Sequence, residues 1–160
     1  MTTIAFKDGI LAADSRAMCN HWVAHDSAMK IFEETHPVHG RMLFAIAGDY
    51  VEGRHAVQAI FARKKYVPQH SETGFTVLGV TPQGQLRQWV VGETHTDGEA
   101  VLAPFYAIGS GRVPAMAAMH AGATAIEAVE IAKKLDPSTG GEVRGYAITK
   151  TFMPLKKDVF

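Results

Sequence analysis

Residues 1–17, MTTIAFKDGILAADSRA, decide the fold. A threonine pair stands directly behind the methionine, and apolar alternation begins at once rather than after the loose residues common at chain ends. Asp8-Gly9 is a dipeptide favoured in two-residue hairpins, where both central positions need positive φ. Pairing Lys7 with Ile10 sets Thr3 across from Asp14 and Thr2 across from Ser15. The acid therefore returns to the start of the chain, and only the hairpin is needed to bring it there.

Outward from this hairpin, the other elements follow from apolar period and turn chemistry. RMLFAIAG (41–48) reads as a strand ending at Gly48. In EGRHAVQAIFARKK (52–65), Val57, Ile60 and Phe61 recur at helical spacing. GFTVLGV, the turn TPQG and QLRQWVV (74–91) make a second hairpin, and PFYAIGSG (104–111) is a strand feeding a glycine-rich corner. Two helices are expected next, VPAMAAMHAG (113–122) and TAIEAVEIAKKL (124–135), parted near Gly122. Thr124 and Glu127 have the spacing of a capping box, with Ala128, Ile131, Ala132 and Leu135 as the expected buried stripe. GEVRGYAITK (141–150) returns as a strand before a short tail. Helices over antiparallel sheets, in one domain spanning 1–160, are the expected architecture.

Composition narrows the function. With 16 basic and 16 acidic side chains, the chain lacks the net basic field of a nucleic-acid binder. Its single cysteine, Cys19, excludes an intrachain disulfide and fits a reducing compartment. No apolar run approaches membrane-spanning length, and Lys7 and Asp8 interrupt any signal-peptide core. The expectation is a cytoplasmic protein with neither nucleic acid nor membrane as partner. His21, His25 and Asp26 lack a specific metal-ligand spacing, and no segment matches a phosphate-binding fingerprint. No metal or cofactor is expected.

Thr2 carries the chemistry. An N-terminal threonine holds a hydroxyl that can attack and an α-amine, ordinarily of pKa about 8, that can take its proton. A lysine ammonium nearby would favour the neutral amine and support a developing alkoxide, and an aspartate could hold that lysine. Thr2, Asp14 and Lys30 supply these types. The same residues also fit a β-forming threonine, a strand-end acid and a surface lysine, and the residue types alone do not choose between the two.

Five stretches in order supply more. TTIAFKDGILAADSRA, Lys30 within AMKIF (28–32), FAIAGD (44–49), YAIGSG (106–111) and DPSTGG (136–141) before VRGYAI resemble proteasome β subunits. They equally resemble the related bacterial ATP-dependent threonine protease subunit, over Thr2 to about Ile148. The opening hairpin is about four residues shorter than in typical members, an even change that preserves side-chain facing.

The resemblance implies an N-terminal nucleophile hydrolase fold, a four-layer α-β-β-α sandwich of two stacked antiparallel sheets. It implies a threonine-type endopeptidase acting on unfolded polypeptide inside a ring chamber. Thr2, freed by removal of Met1, would be the nucleophile, with Lys30 tuning it and Asp14 orienting Lys30. Gly48 N–H would supply the oxyanion hole. Ser110 would hold the amine and its water, supported by Asp136 and Thr139. Ala28, Phe32 and Ile46 would border an uncharged substrate pocket favouring apolar side chains, although Ile46 also fits a place in the sheet core. Arg16 matches a basic family position and equally suits a structural ion pair. The implied assembly is a homo-oligomer of two stacked six- or seven-membered rings, with a separate regulatory ATPase or cap as possible partner. A noncatalytic ring or scaffold subunit, and a small-molecule amidase of the same fold, are the alternative functions.

Overall fold

The computed structural model describes residues 2–64, 66–67, 74–90, 98–147 and 153–154. Met1, Lys65, Val91, the late strand beyond Ala147 and the tail other than Met153–Pro154 lie outside them. The chain opens with β1 (Thr3–Lys7), β2 (Ile10–Ala13), β3 (Ala17–Cys19), β4 (Trp22–His25), β5 (Ile31–His36) and β6 (Gly40–Gly48). Helix α1 (Tyr50–Phe61) leads to β7 (Phe75–Val80), β8 (Leu86–Val90), β9 (Glu99–Val101) and β10 (Phe105–Gly109). Helices α2 (Arg112–His120) and α3 (Ala125–Leu135) precede β11 (Arg144–Ala147) and β12 (Met153–Pro154). The described residues thus form a mixed α/β fold with three helices and three antiparallel sheets.

They gather into two compact units, one within 1–29 and 104–160, the other within 30–103. The first grows from the opening hairpin. Asp8 and Gly9 have φ of 51° and 75°, positive at both positions as the favoured hairpin turn requires. Lys7 pairs with Ile10 and Ile4 with Ala13, the expected register. Past the ladder, Asp14 N–H donates to the Thr3 carbonyl at 3.2 Å. β10 adds to the other edge of β1, setting Thr3 opposite Gly109. β11 adds to β2, and the sheet runs β10-β1-β2-β11-β12. β3 and β4 form a separate ribbon, exposed along β4 and half-buried at Ala17 and Met18.

Helices α2 and α3 cover one face of this five-stranded sheet through small residues, Ala115, Ala128 and Ala132 against Ala5, Ala12 and Ala107. Thr124 and Glu127 complete the expected capping box. The buried stripe of α3 is Ala125, Ala128, Val129 and Ala132. Ile131 and Leu135, expected inside, are 37% and 68% exposed. The sheet presents alanines here, so the helix packs its own small residues on them and turns the bulkier pair outward. Lys7 Nζ donates to the Met119 and Ala123 carbonyls at 3.1 and 2.8 Å, placing a cation where the end of α2 concentrates carbonyl charge.

The second unit is the meander β5-β6-β7-β8-β9 with α1 over one face. Met42, Phe44, Ile46, Val77 and Trp89 pack there with Ala56, Val57 and Ile60. Asp49 caps α1 by accepting the Glu52 N–H at 3.0 Å, so the helix starts at Tyr50, two residues before the expected stretch. The sequence reading assigns no strand to β3, β4, β5 or β9. β4 is exposed throughout and β9 only partly shielded at one end, leaving no alternating apolar signal.

Candidate active site

Thr2 is buried at the open end of the first hairpin, where its hydroxyl donates to Asp14 Oδ1 at 2.6 Å. The same oxygen accepts the Thr3 N–H at 2.9 Å. Asp14 Oδ2 accepts the N–H groups of Arg16 (3.1 Å) and Gly140 (2.9 Å). Three backbone donors therefore hold a buried carboxylate against the Thr2 hydroxyl. The sequence reading has Asp14 act on Thr2 through Lys30. The direct contact with Thr2 is an addition to that reading, and it arises because the hairpin register brings the acid back beside the chain start.

A second carboxylate organises the glycine-rich corner. Asp136 Oδ2 accepts the hydroxyls of Ser110 and Thr139, each at 2.6 Å, and Oδ1 accepts the Ser138 N–H at 3.1 Å. Burial works against its charge, but the hydrogen bonds from Ser110, Thr139 and Ser138 outweigh it and hold the carboxyl below the ordinary range. Ser110 Oγ also lies 3.4 Å from the Thr2 carbonyl oxygen. At that separation the contact is too long to compete for the serine's one proton, which the 2.6 Å bond to Asp136 commits. Ser110 therefore keeps its lone pairs for a neighbouring donor.

Glycines permit this close approach. Gly109 has φ 95°, and a Cβ there would lie 1.9 Å from the Thr2 carbonyl oxygen. A Cβ on Gly111 would lie 2.0 Å from Thr3 Oγ1. Arg16 crosses over Gly140, whose Cβ would meet its guanidinium carbon at 2.3 Å. Arg16 forks onto Asp26 at 2.8 and 3.0 Å and donates to the Pro137 carbonyl at 3.1 Å. The ion-pair reading of Arg16 is thus the observed one. That hydrogen bond holds the Asp26 carboxyl below its usual range. Asp26 is thereby engaged, and among the described residues no group of three or more His, Cys, Asp or Glu is placed to hold a metal.

The first unit therefore brings together Thr2, Asp14, Ser110, Asp136 and Thr139. Ala28 belongs to it too, half-buried, with its N–H on the Ser15 carbonyl at 2.9 Å. Lys30, Phe32, Ile46 and Gly48 belong to the second unit. Lys30 is buried, and its carbonyl accepts the Ile46 N–H at 3.3 Å. Phe32 lies beneath the Arg54 guanidinium at 4.1 Å from the ring centre and stacks on Phe44. Ile46 is in the core under α1, where a Cβ on Gly53 would lie 2.4 Å from its Cγ2. Gly48 ends β6 with φ 101°, and a Cβ there would lie 2.2 Å from the Gly74 carbonyl oxygen.

Sequence reasoning missed Thr3. Its N–H reaches Asp14, and its hydroxyl lies 2.6 Å from that of Thr139. The adjacent threonines and strand period two were the available signal, since they turn the pair to opposite faces. Compared with protein-family models and with curated proteins, the sequence matches none. Among the described residues no helix is long and apolar enough to cross a membrane.

Proposed function

We propose that this chain is a threonine-type endopeptidase of the N-terminal nucleophile hydrolase class, acting on unfolded polypeptide. The observation that carries the reading is the buried Thr2 hydroxyl at 2.6 Å from Asp14, beside a Ser110 whose proton is committed to Asp136. Any buried threonine hydroxyl needs an acceptor, but here the acceptor is an ionisable side chain rather than a main-chain carbonyl. The finer fold proposed is the α-β-β-α sandwich of two stacked sheets. It is supported by helices on one face of each sheet and by buried apolar residues on the other, such as Ile4 and Leu11 in one and Leu43 and Leu78 in the other.

With Met1 attached, the nitrogen of Thr2 is an amide and has no basic lone pair. Once Met1 is removed the free α-amine, with an ordinary pKa of about 8, is matched to accept a proton near neutral pH. Thr2 Oγ1 turns from its hydrogen bond with Asp14 and attacks the scissile carbonyl while its proton passes to that amine, directly or through a water held by Ser110. Gly48 N–H receives the oxyanion, and Lys30 supplies the positive charge that favours the neutral amine. Collapse expels the leaving amine with the proton and leaves an ester on Thr2. Water, deprotonated by the same amine, hydrolyses that ester and returns the hydroxyl.

Ala28 and Phe32 are the residues we assign to the pocket for the residue before the cut, with Ile46 serving as core beneath α1. The assembly we propose encloses the sites in two stacked rings of six or seven copies, served by a separate ATPase or cap. Intact mass of the purified protein, combined with fluorogenic peptides, tests the enzyme reading. Loss of Met1 and hydrolysis abolished in Thr2→Ala are expected. Retention of Met1 in an active preparation, or equal rates in wild type and T2A, would sink it.

A further inference from the structure

Each hydroxyl in the glycine-rich corner has one proton to give, and this fixes the direction of a chain of hydrogen bonds. Thr139 Oγ1 lies 2.6 Å from Asp136 Oδ2, an acceptor only while ionised. Its proton is spent there, so in the 2.6 Å contact with Thr3 the donor is Thr3 Oγ1. Ser110 donates to the same Asp136 oxygen from the other side. The order of donation is therefore Thr3 to Thr139 to Asp136, with Ser110 converging on the carboxylate.

Thr3 is fully buried, and Gly111 leaves room for its hydroxyl, since a Cβ at 111 would lie 2.0 Å from that oxygen. The Thr3 backbone N–H meanwhile donates to Asp14 Oδ1, the oxygen that accepts the Thr2 hydroxyl. One residue therefore reaches both carboxylates, through its main chain to Asp14 and through its side chain toward Asp136.

We propose that Thr3 is a positioning residue: its hydroxyl orients the Thr139 and Asp136 pair so that the Ser110 proton stays on Asp136 and the Ser110 oxygen is held in place beside the main chain of Thr2. The role at Thr2 rests on the peptidase reading above. The physical basis is that a hydroxyl which accepts a hydrogen bond donates a stronger one. Without the Thr3 proton, Thr139 is free to rotate away from Asp136. The carboxylate then loses a donor, and Ser110 loses the fixed acceptor that holds its proton away from Thr2.

Thr3→Ser and Thr3→Ala test this directly, because both lack the threonine methyl and only one keeps the hydroxyl. Carbon-detected NMR titration of the Asp136 carboxyl is one readout, and kcat and KM on a fluorogenic peptide the other. T3S is expected to titrate as wild type and keep its kcat. T3A is expected to shift the Asp136 midpoint upward and to lower kcat about tenfold or more with KM little changed, as misplaced catalytic groups do. An Asp136 titration identical in T3A and T3S overturns the proposal. So does a shifted titration with kcat and KM unchanged, which makes the network structural only. A wild-type enzyme no faster than T2A defeats the peptidase reading instead, and the titration then decides by itself whether Thr3 orients the chain.

Discussion

Asp14 shows why a carboxylate, and not merely a polar side chain, belongs at its position. Each of its oxygens accepts from two donors: the Thr2 hydroxyl and Thr3 N–H on one side, the Arg16 and Gly140 N–H groups on the other. Asparagine would turn an NH₂ toward one of these pairs whichever way it flipped. Each buried group left unsatisfied costs about 1–3 kcal/mol, so Asp14→Asn is expected to lose at least about 2 kcal/mol in denaturant titrations. Asp136 carries a dependence on acid. Its carboxyl titrates below the ordinary range when folded, so its stabilisation is complete above the unfolded value of about 4 and lost as pH falls through the folded one. Melting curves from pH 7 downward should show wild type losing Tm below about pH 4. Asp136→Asn should start from a lower plateau and lose less over the same window.

Among the elements, α3 separates what the amino-acid pattern reveals from what packing decides. Its limits were legible, because Thr124 and Glu127 cap it locally and Pro137 forbids continuation. Thr124→Ala should cost about 1 kcal/mol, read from the denaturation midpoint. Its facing was only half legible. Ala128 and Ala132 are buried as expected, but Ile131 and Leu135 point outward, because the face that α3 lays on the sheet is the one with Ala125, Ala128, Val129 and Ala132. Leu135→Gln is accordingly expected to change stability by less than about 0.5 kcal/mol, whereas Ala128→Leu overpacks the interface and should cost about 1–3 kcal/mol. The opening hairpin was legible throughout, since Asp8-Gly9 sets register and register sets Asp14. In the site, Asp14 beside the chain start followed from that hairpin alone. The meeting of Ser110, Asp136 and Thr139 depends on a helical pair and a corner closing together, and short-range pattern contains no such distance. β3 and β4 were illegible for another reason: strands this short, half-buried in β3 and exposed in β4, satisfy backbone groups without an apolar alternation.

At the scale of the whole molecule, the proposed ring assembly makes a prediction independent of catalysis. Light scattering of the processed protein should give a single species of about 12–14 copies, in keeping with a closed symmetric assembly. Monomers at micromolar concentration would remove the chamber from the reading. In peptide digests, leucine before the cut should be preferred over glutamate, and broadly so, since an apolar pocket distinguishes one methylene by only about 1–3 kcal/mol. The carboxylate of Asp14 finally bears on how such a chain can change over generations. Three of its donors are main-chain N–H groups, of Thr3, Arg16 and Gly140, which no side-chain replacement other than proline abolishes. The scaffold needs that acid whether or not anything at position 2 reacts. A lineage released from selection for cleavage that discards Thr2 gives up one donor to Asp14, while the main-chain donors keep Asp14 under selection, and its inactive descendants should keep the acid long after the nucleophile has gone.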